Sequence, residues 1–382
     1  MEKITQEGAI QMFNMCAYFA PEKIPVEMFV RGSGVLPYPL QGNIADILEK
    51  NKILRDLTRY SLLSWGRNDN TSADETTVLY MHRLLQEVVQ KSFGEDSNWL
   101  AYCLDLTCKV VDWVGKDGWE IKNAFELESS HTIKIADKSF EVFANNNRKL
   151  KNVTQLYFYN SVVDAKLLLF DTGLSYIEKC IGILERICIE ENSIENKNNL
   201  FFYYINKGFF HASSLEYQKA IMDYDKSIKL GKDLKTDGCL ADESILALAF
   251  MNRGIAYRYI KQYDKALLDE NRSIEIYECL YISGILDDEN AMALAYMNRG
   301  ATYGALMKNN ESLLDINKSI EIWEKMKNEG KKVNENQLAK AYVNRGVSIS
   351  KVMLEKNKGS LSNDLAAIYN RKSTKAILNC RK

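Results

Sequence analysis

The chain has 382 residues, of which 46% are apolar and 26% charged, a composition that fits a folded soluble protein of two or three domains and excludes a disordered or membrane-spanning one. Lys plus Arg number 50 against 51 for Asp plus Glu, so no net field draws the chain to nucleic acid or to an acidic lipid surface. No apolar run approaches the roughly 18 residues a membrane span needs, and the start Met1-Glu2-Lys3-Ile4 lacks the apolar core of a secretory leader.

The four prolines, Pro21, Pro25, Pro37 and Pro39, all fall in the first forty residues, which predicts two differently built regions, the longer one helical. Apolar residues from Ile10 to Phe19 predict a helix that stops at Pro21. A second short helix follows Pro25, and Ile44 to Leu57 predict another. The period then changes. Tyr60 to Gly66 and Thr76 to Met81 flank the polar Arg67 to Asp74, a pattern that predicts a hairpin of two short strands, and Leu84, Leu85, Val88 and Val89 return to helix. Helices, a strand pair and a closing helix fit a small winged-helix-like module over 1–95.

Ala17 to Phe29, Thr58 to Leu63 and Tyr80 to Val89 resemble the winged-helix segment that follows the nucleotide-binding domain in STAND (NB-ARC-type) signalling ATPases with tetratricopeptide tails. In that family a Met-His-Asp motif lets the histidine sense the nucleotide phosphate. Met81-His82 matches it, with Arg83 in place of the acid, so the resemblance implies that His82 is a remnant of a nucleotide sensor working with an ATPase domain on another chain. The plain alternative is a histidine that fixes the start of its helix. No Gly-x-x-x-x-Gly-Lys-Ser/Thr occurs, so no triphosphate cradle and no cofactor are expected.

Residues 96–195 read as a helical connector. Trp99 to Val114 keep one apolar face, the pattern blurs after Trp119, Asn145 to Asn147 read as a loop, and the helical period returns over Leu156 to Phe170 and Tyr176 to Ile189 as a degenerate repeat pair.

From 196 to 382 the chain repeats itself. Leu200 to Gly208, Leu246 to Gly254, Met292 to Gly300 and Leu338 to Gly346 lie 46 residues apart, and a second half recurs around Ala220, Ala266 and Ser312. Self-similarity at such a period predicts stacked helical hairpins. Gly254 and Ala266, twelve apart, are small enough for two helices to pack closely. The spacing resembles the tetratricopeptide repeat (TPR), whose usual period is about 34; here twelve extra residues lengthen either the helices or the loops. The fold class expected is therefore mainly all-α, a TPR-like solenoid of helical hairpins after the small module, with a turn at Lys358 to Ser360 and a closing helix over Asn363 to Leu378.

In peptide-binding tetratricopeptide proteins the residue two before the small residue of the first helix faces the concave groove, which the resemblance carries to Asn206, Asn252, Asn298 and Asn344. A carboxamide can serve a peptide C=O and N–H together, so a ladder of them binds an extended chain with little regard for its side chains. The adjacent Arg253, Arg299 and Arg345, with Lys207, are candidates for acidic groups on a partner. For both sets the alternative is bracing of the hairpin.

The eight cysteines show no metal-ribbon spacing, and the three histidines, His82, His131 and His211, are far apart, so reduced thiols in a cytoplasmic protein and no metal site are expected. No nucleophile–base set is present, which predicts an interaction scaffold for a protein or peptide ligand rather than an enzyme.

Overall fold

A computed structural model of the chain describes residues 2–59, 61–67, 77–115 and 129–356. The polar strand connection, the blurred stretch just after Trp119, and the turn and closing helix expected beyond Lys356 lie outside them. Two compact units divide the chain, 1–191 and 192–382.

The amino-terminal unit opens with α1 (Glu2–Cys16), the edge strand β1 (Ile24–Pro25) and α2 (Val26–Arg31), then α3 (Leu40–Asn43) and α4 (Ile47–Thr58). The start of α4 is fixed by Asp46, whose Oδ1 accepts from the amides of Leu48 and Glu49, each at 2.9 Å. Strands β2 (Leu63–Arg67) and β3 (Thr77–Met81) pair as expected, and α5 (Arg83–Ser92) follows. The sheet has three strands, not the two expected: β1 pairs antiparallel with β3 through Ile24 opposite Leu79 and Pro25 opposite Val78, giving the order β1-β3-β2. A two-residue strand containing a proline is tolerated only at an edge, where one side needs no ladder donor, and it is too short to show a period in sequence.

Next come α6 (Asn98–Gly115), α7 (Ser129–Val142), and the hairpin of α8 (Asn147–Lys166) with α9 (Phe170–Glu190). Helix α7 escaped the periodicity because its buried face is partly polar: His131, Thr132 and Ser139 accompany Ile135 and Ala136. His131 and Thr132 have partners, while the Ser139 hydroxyl has none among the described residues. His131 Nδ1 accepts from the Ala20 amide at 3.1 Å, which leaves the proton on Nε2 to donate to the Lys23 carbonyl at 3.2 Å. Gln86 Nε2 donates to the carbonyls of Cys16 and Phe19, while its Oε1 accepts from Lys134 at 2.9 Å. Burial, with Arg83 nearby, holds the Lys134 pKa below its ordinary value. The connection after α1 is thus fastened to α5 and α7.

The carboxy-terminal unit holds three hairpins and one further helix: α10 (Ile194–Ser213) with α11 (Tyr217–Thr236), α12 (Glu243–Tyr259) with α13 (Tyr263–Ile282), α14 (Glu289–Ala305) with α15 (Asn309–Asn328), and α16 (Glu335–Lys356). The extra residues of the 46-residue period go into helices of 17 to 20 residues in these hairpins, not into loops. Each second helix ends at a glycine in the left-handed region, Gly238, Gly284 and Gly330 at φ 66–71°, and the next amide returns to the carbonyl five residues back, as Ile285 does to Leu280 at 3.1 Å. That backbone conformation favours glycine because it has no Cβ.

Within a hairpin the helices cross where the first offers glycine. A Cβ on Gly254 would stand 2.9 Å from Glu270 Cγ and 3.2 Å from the Ala266 carbonyl, and one on Gly300 would stand 3.0 Å from Ile316 Cγ1. Consecutive first helices also pack on one another, α10 on α12, α12 on α14 and α14 on α16. They form one layer, and the second helices form the other. A continuous apolar core from Phe201 to Ala341 runs between the layers. No helix among the described residues is long and apolar enough to cross a membrane, and the seven described cysteines form no disulfide.

Leucine at position 254 cannot fit this crossing. Gly254→Leu is expected to lower stability by about 1–3 kcal/mol or more through overpacking, read as a lower urea midpoint, whereas Gly284→Asn, at an open left-handed turn, should shift it by far less.

Candidate functional site

The first helices present one stripe away from the second helices. On α12 the partly exposed positions are Ile245, Leu248, Asn252, Ile255 and, more open, Tyr259, a spacing that keeps one side of the helix. On α14 the same places hold Ala291, Leu294, Asn298, Ala301 and Ala305, and on α10 they hold Asn199, Phe202, Asn206, Phe209 and Ser213. On α16 they are Gln337, Lys340, Asn344, Val347 and Lys351. Packed side by side, the four helices make a surface that is mainly apolar on α12 and α14 and polar on α16, with a row of carboxamides along its middle.

The carboxamides have little to do inside the protein. Asn206 Nδ2 donates to the Phe202 carbonyl of its own helix at 2.9 Å. Asn252, Asn298 and Asn344 make no side-chain hydrogen bond with any described residue, although Asn298 is only 9% exposed. The degenerate copy behaves differently. Asn160, 46 residues before Asn206, is fully buried: its Oδ1 accepts from Thr132 of α7 at 2.7 Å, and its Nδ2 donates to the Leu156 carbonyl at 2.8 Å.

The arginines lie one helical position on, about 100° around the helix, and form a brace. Arg253 grips Asp269 of its own hairpin through two bonds of 2.7 Å, and its Nη1 reaches Asp225 of the preceding hairpin at 2.6 Å. Arg299 repeats the pattern with Asp315, again by two bonds of 2.7 Å, and with Asn271 at 2.8 Å. Burial opposes the charge of Arg253, but the two carboxylates outweigh it and hold its pKa above the ordinary value. Two aromatic rings lie near each guanidinium, Phe250 and Tyr257 for Arg253, Tyr296 and Tyr303 for Arg299. The reading of Arg253 and Arg299 as contacts for a partner's acidic groups therefore gives way to the bracing one. Arg345 lies over the Tyr342 ring and has no carboxylate partner among the described residues. In the first copy, where Lys207 replaces arginine, the equivalent Asp223 meets His211 at 2.7 Å instead.

His82 caps α5: its Nδ1 accepts from the Leu84 amide at 3.2 Å, the simpler of its two expected roles. Among the described residues no three His, Cys, Asp or Glu side chains gather as a metal ion would need.

Three further polar side chains escaped the sequence reading. Asn198 and Asn290 each fasten the loop that opens the next hairpin; Asn290 donates to the Lys332 carbonyl and accepts from the Asn334 amide and the Trp323 indole. Their 92-residue separation is a visible signal, interrupted at Ser244. Glu270, buried on α13 over Gly254, stands where the neighbouring hairpins have Tyr224 and Ile316. Its Oε1 accepts from Thr302 at 2.7 Å, its Oε2 has no partner, and burial pushes its pKa up to about 8.

No family model matches the chain, and no curated protein matches it. Among solved structures, BtubC (BKLC) from P. vanneervenii is 12% identical, with a TM-score of 0.50 over 65% of this chain and 89% of that one. A Rap protein complexed with competence and sporulation factor is 10% identical, covering 98% of both chains at a TM-score of 0.40. A STAND protein with a tetratricopeptide repeat sensor from Pyrococcus horikoshii is 13% identical at a TM-score of 0.36; the match spans 90% of this chain and 53% of that one. At such identity the likeness is one of fold, a TPR-like stack of helical hairpins.

Arg299→Ala strands Asp315, whose side chain is 2% exposed, and should cost about 3–5 kcal/mol of stability in urea unfolding. A loss below 1 kcal/mol would contradict the brace. The Glu270 carboxyl binds its proton more tightly folded than unfolded, so its contribution is full below about pH 4.5 and fades as pH rises towards 8. Stability measured across pH 5–8 should therefore fall more steeply in the wild type than in Glu270→Gln.

Proposed function

We propose that the chain is an interaction scaffold that holds an extended peptide segment, supplied by a protein partner, against the inner stripe of α10, α12, α14 and α16, without catalysis of its own. One observation carries this reading: Asn252, Asn298 and Asn344 recur at one register, the first two among apolar neighbours, and have no hydrogen-bond partner among the described residues. Each carboxamide keeps access to water, and a ligand that displaces that water must replace its hydrogen bonds. A peptide backbone restores both of its bonds, the C=O accepting from Nδ2 and the N–H donating to Oδ1. The engaged state of Asn160 supports it by contrast, since the same residue under a covering helix is fully bonded.

A second reading concerns the amino-terminal unit as a winged-helix-like module that docks on an ATPase domain elsewhere. Leu84 and Val88, one turn apart on α5 and 65% and 63% exposed, favour a partner on that face beside His82.

Replacing Asn252 and Asn298 together by Ala should weaken capture of the cellular partner by about 1–3 kcal/mol, the range for hydrogen bonds lost from a desolvated site, with helicity unchanged by circular dichroism. Capture that survives this variant but is lost in Leu84→Glu/Val88→Glu would transfer the function to the amino-terminal unit.

A further inference from the structure

The inner stripe is not uniform along its length, and its variation describes the segment it takes. On α12 the two positions after the asparagine are Ile255 and Tyr259, and on α16 they are Val347 and Lys351; between them α14 offers only Ala301 and Ala305. The surface is therefore recessed there by the difference between an alanine and its larger neighbours. At the edge of the recess, one turn back on the same face, sits Asn298, nine-tenths buried and without a hydrogen-bond partner among the described residues. A hollow of alanines alone is only a gap in packing. An unbonded carboxamide beside it marks a place where a backbone is to lie and a side chain to enter.

Charge supplies the second coordinate. Lys340 and Lys351, both on α16 and both exposed, are the only charged side chains on the stripe among the described residues, and neither has an ion-pair partner there. A carboxylate is their complement. The stripes of α14 and α16 belong to helices in direct contact, and Lys351 stands level with Ala305, so the recess and Lys351 are separated by roughly 8–10 Å, the spacing of packed helices, whereas Lys340 lies about 16 Å further along the helix. An extended chain advances about 3.3 Å per residue, so that gap is about three residues.

We propose, on the basis of the groove reading, that the groove selects a segment with one bulky apolar side chain seated on Ala301 and Ala305 and one acidic residue about three positions away, facing Lys351. The asparagines hold the backbone between them. Specificity thus resides on α14 and α16, while α10 and α12 add apolar contact through Phe209 and Ile255.

The test is selection of the full-length chain against a phage-displayed library of random decapeptides. Enriched sequences should pair Phe, Trp, Tyr or Leu with Asp or Glu at a separation of about three, in one order along the chain. A synthetic peptide of that consensus should lose about tenfold in affinity when its acid becomes Lys. Lys351→Glu should invert that preference, whereas Lys340→Glu should leave it in place. Ala305→Leu, at an exposed position that takes the larger side chain without entering the core, should reduce binding of the bulky peptide but not of its alanine version. Enriched sequences without an acid, or a preference unchanged in Lys351→Glu, would overturn the inference while the groove reading stands, provided Asn252→Ala/Asn298→Ala still abolishes binding. Enrichment indifferent to the asparagine variant, or none at all, would overturn both.

Discussion

Everything in the carboxy-terminal unit depends on the crossing of two helices at a residue without a side chain. At Gly254 and Gly300 the second helix comes so near that a Cβ would meet Glu270 or Ile316 at about 3 Å. This fixes the rotation of the first helix about its axis. With about 100° per residue, the position two before the glycine points to the opposite side, which is the open stripe, and the position one before points to the flank. The asparagine row and the arginine row are both consequences of the glycine row.

On the flank Arg253 and Arg299 each meet an aspartate sixteen residues later, and a polar group of the previous hairpin as well. Burying such pairs contributes little net energy compared with apolar packing, because desolvation offsets the attraction. Their geometry is more demanding than their energy. A bidentate bond of 2.7 Å admits one register between the two helices, and the third contact, to Asp225 or Asn271, admits one register between successive hairpins. The first copy keeps the aspartate and changes its partner: Asp223 pairs with His211, one turn along from Lys207. The acid at that place, rather than the arginine, is what the architecture holds constant across the three hairpins.

The hairpin stack was legible in the sequence because repetition exposes it: the 46-residue period, the Gly–Ala spacing and the asparagine row all stand in register without any structure. The role of the arginines was legible in principle, since Asp269 and Asp315 follow Arg253 and Arg299 by sixteen residues, but a pairing between two helices is invisible to the period of either one. In the amino-terminal unit the hydrophobic pattern located α5, α6 and the strand pair and missed α7, whose buried side carries a histidine and hydroxyls rather than aliphatic groups. It missed β1 for want of length. Glu270 was illegible for the opposite reason: a carboxylate within an apolar pattern reads as surface, and only the burial of its helix face shows that it lies beneath the next hairpin.

The asparagines connect these levels. One residue type at one register is wholly bonded at Asn160, bonded to its own helix at Asn206, and unbonded at Asn252, Asn298 and Asn344. Nothing in the residue changes along this series; what changes is whether another helix lies over it. At Asn160 the cover is α7, which brings Thr132 as the donor to Oδ1. A carboxamide that is covered in one copy and uncovered in three others, where the described chain provides no cover, is what the proposed peptide would complete. Because the side chains around it pass from aromatic on α10, through aliphatic on α12 and small on α14, to basic on α16, a ligand lying across the four helices would meet a different chemistry at each. On that proposal the common asparagine would hold its backbone throughout, and affinity and selectivity would rest on different rows of the same face.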